Sequence, residues 1–180
     1  VKAGGISSAP GTYTDSMEYV TTASTGNGTD FGNLVANNGG CGHGMVCNST
    51  RGVFGGGQEG ATKYNVIQYI TIQSTGNSIQ FGDTTLGRGS MGACASSTRG
   101  IFAGGGTVPA SSNIIEFVTI ATTSNATDFG DLTAGSKNLL NSSCGSSTRG
   151  LFANIGTSGL TNVIDFITIA STGNAADFGD

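Results

Sequence analysis

The feature that most constrains this chain is a phrase, Ser97-Thr98-Arg99-Gly100-Ile101-Phe102-Ala103-Gly104-Gly105-Gly106. It returns as Ser49-Thr50-Arg51-Gly52-Val53-Phe54-Gly55-Gly56-Gly57 and as Ser147-Thr148-Arg149-Gly150-Leu151-Phe152-Ala153, with the arginines 48 and 50 residues apart. A second marker, Phe-Gly-Asp or Phe-Gly-Asn, falls at Phe31, Phe81, Phe129 and Phe178, at spacings of 50, 48 and 49. Two markers sharing one period define an internal repeat, and a period near ~50 points to propeller blades. Residues 1–180 then form one domain of four repeat copies, approximately 1–40, 41–87, 88–136 and 137–180, because such units bury their apolar faces on one another. The 32 glycines would suggest low complexity, but they sit at fixed repeat positions and mark tight turns. Val, Ile, Thr and Phe dominate over helix formers, so the predicted class is all-β.

Within the copy at 88–136, residues 90–95 are small enough for a strand buried on both faces. Residues 96–100 turn the chain, 101–105 form a second strand, and 113–120 give the longest β-branched run. Residues 122–125 turn again, and 128–132 make a short fourth strand. Four antiparallel strands are the content of one propeller blade. An aromatic recurs in the third strand as Tyr19, Tyr69, Phe117 and Phe166, and all nine phenylalanines occupy repeat-equivalent positions. Such confinement predicts packing between adjacent blades, with Phe31, Phe81, Phe129 and Phe178 as structural residues. The alternative for these rings is an exposed stacking platform.

A Gly-Gly doublet closing the second strand, an aromatic in the third and another before the fourth resemble the kelch repeat. Phe stands where kelch motifs usually carry Trp, and the doublet is replaced by Asn154-Ile155 in the last copy. The segment Asn162-Val163-Ile164-Asp165-Phe166-Ile167-Thr168-Ile169, continuing to Asp177-Phe178-Gly179-Asp180, is similar to kelch-like repeats in structural and tail-associated proteins of marine bacteriophages, notably cyanophages. That resemblance implies a non-enzymatic virion module, a tail-fibre or surface propeller located on the virion surface or outside the cell. Its implied partners are other virion or assembly proteins, a host-surface glycan or protein receptor, and further copies of itself. The alternative is a secreted bacterial adhesin or a kelch scaffold. A galactose-oxidase-like enzyme also uses kelch blades, but its copper needs at least two His with Tyr, and the chain has only His43.

Antiparallel order puts the near-constant Ser-Thr-Arg-Gly and Ser-Thr-Gly-Asn turns at one end of the blades. The connections that differ between copies, at 6–14, 58–63, 107–112 and 157–161 and at 35–40, 86–90 and 134–139, lie at the other. Constancy implies a geometric task and divergence permits recognition. The candidate ligand-binding residues are therefore Gln58, Glu59, Lys63, Arg88, Ser111, Lys137 and Asn138, against the alternative that the loops drift without a task. Arg51, Arg99 and Arg149 read as structural, bonding turn carbonyls or a neighbouring carboxylate, rather than as ligand clamps.

Cys47, Cys94 and Cys144 are expected at one repeat position as free thiols, with Cys94 and Cys144 buried. Cys41 and His43 superficially resemble a metal site but lack a second ligand pair, and no acidic spacing matches a calcium loop. No cofactor or metal is expected. The net charge of −4 and the scarcity of basic residues exclude a nucleic-acid stripe, and no apolar run approaches a membrane helix. The chain opens inside a repeat, at a second strand without a first, so an incomplete ring of blades is expected.

Overall fold

The computed structural model describes residues 1–6, 12–35, 44–107, 110–136, 139, 142–153 and 161–180. Every element among them is a β-strand, and every pairing is antiparallel. Sheet 1 contains β1 (Lys2–Ile6), β2 (Tyr13–Tyr19) and β3 (Thr29–Asn33). Sheet 2 is β4 (Gly44–Cys47), β5 (Arg51–Gly55), β8 (Val66–Thr71) and β9 (Ile79–Asp83), with the small ribbon β6 (Gln58–Glu59) and β7 (Thr62–Lys63) between β5 and β8. Sheet 3 runs β10 (Gly92–Ala95), β11 (Arg99–Ala103), β12 (Ser112–Thr119) and β13 (Thr127–Ser136). Sheet 4 runs β14 (Ser143–Gly145), β15 (Arg149–Ala153), β16 (Ile164–Thr168) and β17 (Ala176–Gly179). In each sheet the strands follow chain order, as short turns between neighbours require.

The Phe-Gly marker is a bulge. In sheet 3, Ile115 pairs with Gly130 and Glu116 with Asp128, leaving Phe129 as the extra residue. The same shift leaves Phe31, Phe81 and Phe178 unpaired in their sheets. A bulge re-aims the side chain it inserts. Here each ring turns edge-on to the third-strand aromatic, with centroids 5.9–6.2 Å apart.

Consecutive sheets pack face to face, and a separate core fills each gap. Met17, Phe31 and Leu34 meet Phe54 and Ile70 between sheets 1 and 2. Val53, Ile67 and Phe81 meet Phe102, Val118 and Ile120 between sheets 2 and 3. Ile101, Ile115 and Phe129 meet Phe152, Ile167 and Ile169 between sheets 3 and 4. Neighbouring residues on one strand serve different cores, Ile101 towards sheet 4 and Phe102 towards sheet 2. Strand side chains alternate between faces, so an inner sheet needs apolar residues at consecutive positions.

Two expectations require correction. Cys144 is exposed, because among the described residues no sheet packs on its side of sheet 4, whereas Cys94 is buried against Gly150 of sheet 4. Cys47 is exposed for a different reason: it pairs with Gly52, while Cys94 and Cys144 pair with Ile101 and Leu151. The counterpart of Cys94 is Val46, which pairs with Val53. One residue fewer before the Ser-Thr-Arg-Gly turn moves Cys47 to the opposite face. Cys41 and His43 lie outside the described residues.

Candidate functional site

The constant end is built from the turn between the third and fourth strands. Each such turn docks on the fourth strand of the preceding sheet. Asn77 Oδ1 accepts the N–H of Asn33 at 2.9 Å, Asn125 that of Asp83 at 3.0 Å and Asn174 that of Asp131 at 3.0 Å. Backbone bonds reinforce each contact, from Ser78 to Asn33 (2.9 Å), Ala126 to Asp83 (2.9 Å) and Ala175 to Asp131 (2.8 Å). A Cβ on Gly32, Gly82 or Gly130 would overlap the carbonyl of Gly76, Ser124 or Gly173, so close backbone approach dictates glycine after each of these phenylalanines.

The repeated arginines span the same joints. Arg51 lies over the Tyr69 ring of its own sheet, 4.5 Å from the centroid, and donates to the carbonyls of Ile120 (3.1 Å) and Ala121 (2.8 Å) in the next. Arg99 lies 4.3 Å over Phe117 and donates to Ile169 at 2.8 Å. The ring holds the cation while its fork of donors satisfies carbonyls at the strand end. Arg149 has the ring of Phe166, at 4.8 Å, but no carbonyl partner among the described residues.

A third device escaped the sequence reading. Gln68, Glu116 and Asp165 occupy one position of the third strand and are fully buried. Each accepts a backbone N–H four residues past the preceding sheet's bulged phenylalanine: Val35 to Gln68 (2.9 Å), Thr85 to Glu116 (2.9 Å) and Thr133 to Asp165 (3.1 Å). The recurrence of Glu18, Gln68, Glu116 and Asp165 just before each third-strand aromatic was the available signal.

At the divergent end, residues 58–63 fold as the hairpin β6–β7 rather than an irregular loop. Gly60, at φ 57°, occupies the first position of its two-residue turn, where glycine is favoured. The Gly60 N–H donates to the Tyr13 hydroxyl of sheet 1 at 2.7 Å, tying the hairpin down. Lys63 Nζ donates to Gln58 Oε1, and the Tyr64 hydroxyl donates to Glu59 at 3.0 Å. That bond, with some desolvation and the carboxylate charge, raises the Tyr64 phenol above its ordinary value. Lys63 also lines an open depression of about 470 Å³, together with Ala61, Leu86, Gly87 and Thr107. Gln58, Glu59 and Lys63 are thus gathered on one ribbon, and Ser111 lies half-buried in a bridge with Gly106. Lys137 and Asn138 lie outside the described residues.

Arg88 is not displayed with them. It is fully buried, its guanidinium donating to Gly104 O (3.0 Å), Ile114 O (2.8 Å) and the Glu116 carboxylate. Burial pushes this guanidinium below its ordinary pKa, and Glu116 opposes the shift. An exposed-loop position by sequence is a structural ion pair by geometry.

No family model and no curated protein matches the chain. Among the described residues, no three His, Cys, Asp or Glu side chains gather where they could hold a metal ion, and no helix is long and apolar enough to cross a membrane.

Proposed function

We propose that this chain is part of a kelch-like β-propeller serving as a non-enzymatic structural and recognition module, carried on a virion surface such as a phage tail fibre. Its divergent end contacts a host-surface component, a glycan or protein, and its constant end holds the sheets in register. The observation that carries this reading is the division of labour between the two ends. The turns at 74–77, 122–125 and 171–174 and the side chains of Arg51 and Arg99 are consumed by joints between sheets, whereas the β6–β7 hairpin presents Gln58, Glu59 and Lys63 beside an open depression. Polar loops above a shallow surface suit hydroxyl-rich or protein ligands better than a reaction that needs a closed, dry site.

The test is replacement of residues 58–63 by a Gly/Ser loop in the assembled particle. The variant is expected to keep its melting temperature and lose adsorption to the host. Unimpaired adsorption overturns the assignment of this ribbon. Particles that adsorb equally well with the whole module deleted overturn the recognition reading.

A further inference from the structure

Three joints of one design occur inside the chain, and the two outer sheets each present an unpaired half of it. Sheet 4 offers the receiving half. Phe178 is 52% exposed, although its counterparts Phe31, Phe81 and Phe129 are 2–4% exposed. Gly179, at φ 147°, has open space where Gly32, Gly82 and Gly130 meet a turn carbonyl. Arg149 rests on Phe166 with no carbonyl to receive its donors among the described residues. Sheet 1 offers the inserting half. Its turn Ser24-Thr25-Gly26-Asn27 is exposed at every residue, and it has the sequence that docks on sheet 1 from sheet 2 and on sheet 3 from sheet 4. Among the described residues no bond joins sheet 1 to sheet 4.

We infer that the exposed face of sheet 4 is a docking surface for the Ser24-Thr25-Gly26-Asn27 turn of a second copy of this chain, packed head to tail. Asn27 Oδ1 accepts the Asp180 N–H, as Asn174 does for Asp131. The carbonyls of Thr22 and Ala23 receive Arg149, as those of Ile120 and Ala121 receive Arg51. A joint between unlike surfaces leaves a free half at each end of the pair, so it propagates until a ring closes. The inference rests on the joint geometry alone and is independent of the virion reading.

Sedimentation velocity across a concentration series tests it with two half-blocked variants. Gly179→Val blocks the receiving half and leaves the turn, while Ala23→Lys with Asn27→Ala spoils the turn and leaves the receiving half. The unaltered chain is expected to gain mass in whole-chain steps as concentration rises. Each variant alone stays monomeric, and their equimolar mixture forms a 1:1 dimer and no larger species. Phe178→Glu serves as the receiving-half variant if Gly179→Val lowers the melting temperature. A chain that stays monomeric at every concentration overturns the inference, whether its face is free or covered by its own sheet 1. So does a mixture that fails to pair or grows past a dimer.

Discussion

Alanine at Gly130 and at Gly179 separates the energy of turn docking from the strain of a glycine backbone. The two positions are repeat-equivalent and share a conformation, at φ 144° and 147°. An L-residue in that region costs about 1–3 kcal/mol at either site. Only at Gly130 does the new methyl overlap the Gly173 carbonyl, which is backbone and cannot swing aside. Docking there supplies the Asn174–Asp131 bond at 3.0 Å and the backbone bonds Gly173 to Phe129 and Ala175 to Asp131, at 2.7 and 2.8 Å. At a net 0.5–1.5 kcal/mol each, three bonds are worth roughly 2–4 kcal/mol. Gly130→Ala is therefore expected to destabilise by about 3–7 kcal/mol and Gly179→Ala by about 1–3 kcal/mol. Urea unfolding followed by far-ultraviolet circular dichroism, at a concentration where the chain is monomeric, measures both. Equal losses would show that strain alone sets the cost and that the turns contribute nothing to cohesion between sheets.

Other substitutions probe the cores and the buried charges. Phe129→Ala should cost about 3–5 kcal/mol, while Phe178→Ala, at a half-exposed counterpart, should cost less than about 1 kcal/mol in the monomer; equal melts would undo the assignment of packing between sheets. Arg88→Met strands the Glu116 carboxylate and should cost about 3–5 kcal/mol. Adding Glu116→Gln should restore most of that loss, since Gln68 already holds a backbone N–H at the same position; a double variant no better than the single would count against the ion pair. Burial, aided by the nearby Cys144, pushes the Cys94 thiol up to about 12. The folded chain thus keeps a proton that the unfolded chain releases above about pH 9. Stability should fall with rising pH between those values, by up to roughly 4 kcal/mol at pH 12, and native alkylation should label Cys47 and Cys144 but spare Cys94. An unchanged slope in Cys94→Ala, or early labelling of Cys94, would sink that account.

The strand plan was legible because the repeat supplies several independent views of each element. A run ambiguous in one copy, such as residues 16–23, is settled by 65–72 and 113–120. Sequence alone could not show which side of a strand lacks a neighbour, so Cys144 and Phe178 were grouped with buried counterparts whose environments come from the next sheet. Nor did spacing from the nearest marker preserve register: Cys47 precedes Arg51 by four residues, whereas Cys94 precedes Arg99 by five. By sequence Arg88 is a surface candidate because it falls in the connection at 86–90, one of those that differ between copies. Its burial depends on Glu116, which lies 28 residues away, and nothing local announces that pairing.

Variation among the copies follows the space each residue has. The docking turns read Ser-Thr-Gly-Asn three times, but the third copy is Thr122-Thr123-Ser124-Asn125. A Cβ on Gly26, Gly76 or Gly173 meets nothing within 4 Å, so serine at the equivalent position is accommodated while asparagine, whose Oδ1 makes the joint, is kept. Where the neighbouring turn presses on the backbone, at Gly32, Gly82 and Gly130, all copies hold glycine, and the fourth copy keeps it at Gly179 over open space. Among the described residues nothing occupies that space, yet the residue remains what an incoming turn requires. A sequence shaped only by the contacts within this chain would be free to drop the strained glycine at 179, the ring-seated arginine at 149 and the exposed phenylalanine at 178. Their retention together is the pattern expected if the fourth sheet is also covered from outside.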